Sequence, residues 1–199
     1  LLSGESCALC TDAGTPAVSD PGEDLVALCA AHDVRVEALP GPCALVVALS
    51  VSGLPTARFV FEGFLPMNKK NRRSRLETLA VEERTILLYE APHKLVSTLS
   101  DLAAALGPER RVSLCRELTK LHEEVWRATL GEALERYKAE APRGEFVLVV
   151  EGAPAREKEE VTLADGLDRV EELVAEGSSR KDAVKQAAKE LGLSRNELY

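Results

Sequence analysis

The fold class follows from the stretch FVFEGFLPMNKKNRRSRLETLAVEERTILLYEAPHKL, residues 59–95. Short runs rich in apolar and β-branched residues predict strands at 59–62 and 85–89, and the basic segment 69–80 between them predicts a helix. The alternation continues with a helix at 92–106 and a strand at 111–115. Strands that alternate with helices are typical of α/β proteins, so we expect that class.

The same alternation extends to both sides of this stretch. Before it, strands at 7–11 and 34–39 flank a helix at 20–31 in a predicted β-α-β unit, and the uncharged segment 43–51 predicts a buried helix. After it, strands at 125–129 and 145–151 flank a helix at 130–140. Adjacent short strands indicate some antiparallel pairing, so the sheet is predicted to be mixed.

The C-terminal part differs in composition from the rest. Residues 153–160 are rich in Pro, Glu and Lys and predict a linker, and helices follow at 161–176 and 179–191, with a third from Ser194. This pattern resembles a helix-turn-helix, which indicates either nucleic-acid contact or a small packing or dimerisation bundle. The predicted domains are an N-terminal α/β subdomain at 1–55, a second at 56–152, and a helical domain at 161–199.

Composition excludes several classes of protein. The 199 residues carry a net charge of −8, which argues against nonspecific coating of nucleic acid but permits a local basic patch. The longest uncharged run, 38–57, is interrupted by Pro and Gly, so no membrane span is predicted. Five scattered cysteines indicate a reducing cytoplasm, and the Cys7-x-x-Cys10 pair is interpreted as part of a buried strand rather than a metal or redox site.

Ligand-binding groups concentrate where predicted strands end. The Gly- and Pro-containing loops 12–22 and 39–44 follow strands, and in open α/β sheets ligands collect at that edge; the alternative is that both are merely rigid turns. Charged residues cluster at 89–94 and 116–124, either facing a substrate or forming solvated ion pairs. The basic run 68–75 predicts either phosphate contacts or a solvated helix face.

Five motifs occur in one order along the chain: TDAGTP with SDPG at 11–22, LPGP at 39–42, FEGFLP at 61–66, YEAPHK at 89–94 and RELTK at 116–120. This series resembles the branch of the tetrapyrrole methylase superfamily that methylates ribose in ribosomal RNA of the small subunit. The resemblance covers residue 7 to about residue 152, and the tail is similar to the small helical domain of that branch.

The resemblance implies a tetrapyrrole-methylase-like α/β fold with two subdomains and mixed sheets, the first subdomain incomplete. It also implies S-adenosylmethionine as cofactor, methyl transfer to the ribose 2′-hydroxyl of a cytidine in 16S rRNA, and a homodimer. Methyl transfer from a sulfonium needs no metal, so none is expected, and the cysteine usage favours a cytoplasmic protein. Family members begin with a strand and a Pro-Ile-Gly-Asn loop that this sequence lacks, and they usually carry arginine where this chain has Lys94.

The resemblance assigns roles residue by residue. The first loop and Ser19 correspond to the methionine and ribose end of the cofactor site, and the second loop to its other wall: Asp12, Ala13, Gly14, Thr15 and Ser19, with Gly41, Pro42 and Ala44. The predicted catalytic residues are Glu90, His93 and Glu117 as candidate bases and Lys120 as an electrostatic group. The predicted RNA contacts are Lys69, Lys70, Arg72, Arg73, Arg75, Lys94 and Arg116.

Two other functions remain open at this point. One is methylation of a small tetrapyrrole-like ring, which would not need the basic run at 68–75. The other is a noncatalytic RNA-binding or assembly module, which would not bind S-adenosylmethionine.

Overall fold

The computed structural model describes residues 1–155, 162–196 and 198. The chain forms two compact units, Leu1–Pro154 and Ala155–Tyr199. The predicted subdomains 1–55 and 56–152 lie within the first unit, and most of the predicted linker falls on 156–161, outside the described residues. Across the described ranges, no helix combines the length and apolar character needed to cross a bilayer.

The first unit contains one mixed sheet, which confirms the predicted fold class. Its strands are β1 Phe59–Gly63, β2 Thr85–Glu90, β3 Arg111–Arg116, β4 Glu124–Thr129 and β5 Phe146–Val150, in the order β1-β2-β5-β3-β4. β1 and β2 are parallel, and the other neighbours are antiparallel. β1, β2 and β3 therefore end at the same edge, where β4 and β5 begin; we call it the site edge.

Three helices cover one face of this sheet: α3 Lys69–Ala80, α4 Pro92–Leu106 and α5 Leu130–Ala139. The main core joins them to alternate residues of the central strands, such as Ile86 and Leu88 of β2 and Leu148 of β5. Local sequence sets the helix ends. Asn68 accepts hydrogen bonds from two backbone N–H groups at the start of α3, and Pro92 occupies the first turn of α4.

One helix, α2 Ala44–Ser52, covers the opposite face of the sheet. Its buried Leu45, Ala48 and Leu49 pack on the other set of strand residues, including Leu87 and Val149. The lack of charge predicted burial of α2 on nearly all sides, but only one face is buried, and Ala44, Val46, Ser50 and Val51 are exposed.

The N-terminal region departs from prediction. Helix α1 spans Glu23–Ala31, as expected, but residues 7–11 and 34–39 form no strand, so the predicted β-α-β unit is wrong. A strand requires a hydrogen-bonded neighbour, and among the described residues no segment pairs with either stretch. Leu25 and Leu28 of α1 are consequently exposed rather than packed on a sheet.

The described part of the second unit is mostly helical. α6 Leu163–Ala175 and α7 Arg180–Leu191 share a small core that includes Val170, Leu173 and Val184. The predicted third helix from Ser194 falls partly outside the described residues, and residues 195–196 lie in a turn.

Candidate active site

The two Gly- and Pro-containing loops meet in the structure. The Thr15 hydroxyl donates a hydrogen bond to the Pro42 carbonyl, 3.0 Å between Oγ1 and O. The structure therefore brings together the two loops that the sequence placed at strand ends. The other residues predicted for the cofactor are exposed at their surface: Asp12, Ala13, Gly14, Ser19, Gly41, Pro42 and Ala44.

A tyrosine joins the second loop to the sheet. The Leu45 backbone N–H, in the first turn of α2, donates to the Tyr89 hydroxyl at 3.2 Å. Burial raises the pKa of Tyr89, and the nearby Cys43 and Asp20 raise it further, whereas the Leu45 N–H lowers it. The phenol thus keeps its proton at neutral pH and fixes the start of α2 near the end of β2.

The first loop also reaches the end of β1. Gly63 is buried with φ of +61°, and a Cβ at this position would lie 3.1 Å from the Ser19 hydroxyl oxygen. A side chain here would meet both a steric and a conformational penalty. The close approach places Ser19 beside the FEGFLP motif at the site edge.

The segment 117–120 lies on the same face as α2, because Leu118 packs against the cluster that contains Tyr89. The Glu117 carboxylate accepts hydrogen bonds from the Glu145 N–H, at 2.9 Å, and from the Lys120 ammonium, at 3.2 Å. Lys120 also pairs with the Glu145 carboxylate at 3.1 Å. The Glu145 N–H and Lys120 lower the pKa of Glu117, and the two carboxylates raise the pKa of Lys120.

Backbone strain is concentrated around this site. Among the described residues, five that are not glycine have positive φ, and four of them lie in the segments above: Ala17, Ser19, Glu117 and Thr119. Such conformations cost about 1–3 kcal/mol each and cluster at ligand sites. The packing that holds both segments in strained shapes supports a role in binding.

Glu90 lies on the opposite face of the sheet. It alternates with Tyr89 along β2 and is buried, accepting a hydrogen bond from the Thr98 hydroxyl at 2.5 Å and another from the Ala91 N–H. Arg72 donates to Thr98 and pairs with Asp101 at 2.7 Å. This network ties β2, α3 and α4 together, so the structure does not bring Glu90 to the two loops. His93 and Lys94 start α4 on that same face.

The predicted RNA contacts on α3 differ in exposure and in ion pairing. Lys69 and Lys70 are exposed at the start of α3, and Arg73 is exposed and pairs with Glu77 at 2.9 Å. Arg72 is bound by Thr98 and Asp101 in the network around Glu90. Arg75 pairs with Glu62 at 3.1 Å. The start of α3 therefore offers three exposed cations at the site edge.

Arg116 belongs to a further cluster at that edge. It pairs with Glu124, which also binds Arg136. With Arg143, these residues line a cavity of about 110 Å³, and the Arg136 guanidinium lies 4.4 Å from the centre of the Trp126 ring. Sequence reasoning missed Arg136 and Arg143, because they become neighbours only when α5 ends at the site edge.

Cys7 and Cys10 are exposed, which corrects their predicted burial, because the strand that would bury them is not formed. Within the described part of the chain, no His, Cys, Asp and Glu residues group as metal ligands. A larger cavity of about 580 Å³ lies where β2 begins, remote from the site edge, and is lined by Arg58, Val81, Glu82 and their neighbours.

The chain is similar to known methylases. Residues 1–134 match the model of the tetrapyrrole (corrin/porphyrin) methylases. The chain belongs to this family, which confirms the resemblance predicted from the motifs. Over its whole length it is 47% identical to "Ribosomal RNA small subunit methyltransferase I" of Synechocystis sp., spanning 71% of that protein. It is 45% identical to the protein of the same name from Escherichia coli O157:H7, spanning 69% of it.

Solved structures agree on the fold. The methyltransferase CobJ matches with a TM-score of 0.54 and 22% identity, over 70% of this chain and 62% of CobJ. The cobalt precorrin-4 methyltransferase CbiF matches with a TM-score of 0.53 and 16% identity, over 69% of this chain and 61% of CbiF. At these identities the likeness concerns architecture alone.

Proposed function

We propose that this protein transfers a methyl group from S-adenosylmethionine to the ribose 2′-hydroxyl of a cytidine in 16S rRNA. The proposal is carried by the contact between Thr15 and Pro42, which joins the two loops at the site edge in a chain of this family. The names of its relatives supply the substrate class, ribosomal RNA of the small subunit.

The residues around the two loops suit this cofactor. The exposed Asp12 carboxylate and Ser19 hydroxyl are groups that bind ribose hydroxyls or an ammonium. The first turn of α2, next to Pro42, presents backbone N–H groups of the kind that bind a carboxylate. When bound, S-adenosylmethionine would supply an electrophilic methyl group on its sulfonium.

The structure favours Lys120 as an electrostatic group rather than a base. Its two carboxylate partners raise its pKa, so the ammonium stays charged and would stabilise negative charge developing on a ribose oxygen. Glu117 is a weaker base than an ordinary carboxylate because its pKa is lowered. Of the four predicted catalytic residues we retain Glu117 and Lys120, which belong to the same segment as Leu118, a residue that packs on the α2 side of the sheet.

Most of the rate acceleration would come from positioning and water exclusion. Methyl transfer from a sulfonium requires the attacking oxygen in line with the bond that breaks. The strained segments that contain Ser19 and Glu117 are held by packing and hydrogen bonds, so little reorganisation is needed on binding.

We propose that the RNA backbone follows the site edge past the start of α3. Lys69, Lys70 and Arg73 are exposed there, and each phosphate contact would release counterions.

A cytoplasmic homodimer is part of the same proposal. The exposure of Leu25 and Leu28 on α1 supports the dimer, and light scattering would measure the oligomeric state.

The experiment is transfer of labelled methyl from S-adenosylmethionine to 30S particles, with the modified nucleotide mapped by its resistance to alkaline hydrolysis. Lys120→Ala should reduce transfer by about 10²-fold or more, the scale for removing one electrostatic stabiliser. Lys138→Ala is the matched control, because both lysines have side chains 53% exposed and both pair with a glutamate three residues away.

Two results would contradict the proposal. Equal activity of both lysine variants would remove Lys120 from the site. Full turnover by a Lys69→Glu, Lys70→Glu double variant on a small tetrapyrrole, with no transfer to 30S particles by the unaltered protein, would favour the ring methylase instead.

A further inference from the structure

The FEGFLP motif contributes to an aromatic cluster whose role is not explained by the methyl-transfer groups. The Phe61 and Tyr89 ring centres are 4.9 Å apart, and those of Phe64 and Tyr89 are 5.9 Å apart, both edge to face. The chain has only eight Phe, Tyr and Trp residues, so three of them meet at this one place. Phe61 and Tyr89 are half-buried, whereas Phe64 is 53% exposed.

The backbone on both sides of Phe64 is fixed. Gly63 is buried in a left-handed turn beside Ser19, and Leu65 is buried in the main core on the other face of the sheet. The Phe64 ring packs edge to face with Tyr89, and the Tyr89 hydroxyl accepts a hydrogen bond from the Leu45 N–H of α2. The exposed ring is therefore presented rigidly, and little conformational entropy would be lost when a ligand covers it.

The position of the ring indicates its ligand. Ser19 and the start of α2 belong to the walls of the proposed cofactor site, and both contact the residues that hold Phe64 in place. When a ribose is bound next to the methyl donor in that site, the base attached to it lies within one nucleotide length of the site. Proteins that recognise unpaired RNA commonly stack exposed bases on aromatic side chains.

We propose that Phe64 is the stacking platform for a nucleobase of the RNA substrate, at or next to the methylated nucleotide. The proposal rests on the function proposed above and adds a base-binding residue to it. Stacking accounts for an exposed phenylalanine whose neighbours in the chain, Gly63 and Leu65, are both buried.

The test compares Phe64→Ala and Phe64→Tyr with Met67→Ala. Met67 is a matched control, because it is three residues away in the same loop and 73% exposed. We expect Phe64→Ala to lower kcat/KM for 30S particles by about 5- to 150-fold, the range for loss of one base stack. Phe64→Tyr should restore most of that loss, and Met67→Ala should stay within about twofold of the unaltered protein.

Cofactor affinity separates this proposal from its alternative. Calorimetry should give the same Kd for S-adenosylmethionine in Phe64→Ala and in the unaltered protein. Weaker cofactor binding by Phe64→Ala would assign the ring to the cofactor's adenine and overturn the proposal, as would unchanged kcat/KM. Failure of the unaltered protein to methylate 30S particles would instead refute the proposed function itself.

Discussion

The hydrogen bond between the two loops gives the sharpest prediction. Thr15→Val keeps the β-branched shape of the side chain and removes only the hydroxyl that donates to the Pro42 carbonyl. A hydrogen bond contributes about 0.5–1.5 kcal/mol net, and an exposed bond falls in the lower half of that range. Because 1.4 kcal/mol corresponds to a factor of ten, the Kd for S-adenosylmethionine should rise about 2- to 5-fold.

Isothermal titration calorimetry measures this change directly. The control is Thr78→Val, because the Thr78 hydroxyl donates at 3.1 Å to the Ser74 carbonyl on the exposed surface of α3. That variant should bind S-adenosylmethionine as the unaltered protein does. If Thr15→Val and Thr78→Val gave the same Kd as the unaltered protein, the loop contact would have no part in cofactor binding and the reasoning would be refuted.

Three further predictions concern the sheet and its ends. Thr98→Val should lower the free energy of unfolding by about 1–3 kcal/mol, because it leaves the buried Glu90 carboxylate short of a donor; urea denaturation measures the change, and calorimetry should find cofactor affinity intact. Hydrogen bonds from Arg84 lower the pKa of Glu82 from 4.5 to about 2. Glu82 therefore stabilises the fold at pH values above 4.5, and this contribution is lost as the pH falls toward 2. Glu82→Gln should therefore lower the free energy of unfolding, measured by urea denaturation, at pH 7 but not at pH 2, by no more than about 1 kcal/mol because the Arg84 side chain is 42% exposed. Tyr89→Phe should raise the Kd for S-adenosylmethionine about 2- to 12-fold, because the N–H at the start of α2 loses its acceptor; an unchanged Kd in calorimetry would separate Tyr89 from the site.

Local signals predicted much of the fold. The bounds of α3 and α4 agree with prediction to the residue, because the Asn68 cap and Pro92 mark the helix starts and both signals act within a few residues. The strands expected at 7–11 and 34–39 are wrong, although their composition suits strands. Strand formation depends on a partner that is distant in sequence, and composition does not report whether one is present.

The arrangement of the candidate site was predictable only in part. Thr15 and Pro42 lie together as expected, although the strands at 7–11 and 34–39 from which that expectation came are not formed. Which face each side chain occupies was not predictable, because alternation along β2 separates Glu90 from Tyr89 without saying which face carries the loops. The charges of Arg72 and Arg75 likewise do not reveal that both are ion-paired.

The central claim is that loops 12–22 and 39–44 form one cofactor site at the site edge. Hydrogen exchange measured by mass spectrometry, with and without S-adenosylmethionine, tests it most directly. Exchange should slow in peptides from both loops and at the start of α2, and it should not change around Val81 and Glu82 in the larger cavity. Slower exchange around Val81 and Glu82 alone, or in only one of the two loops, would contradict the claim.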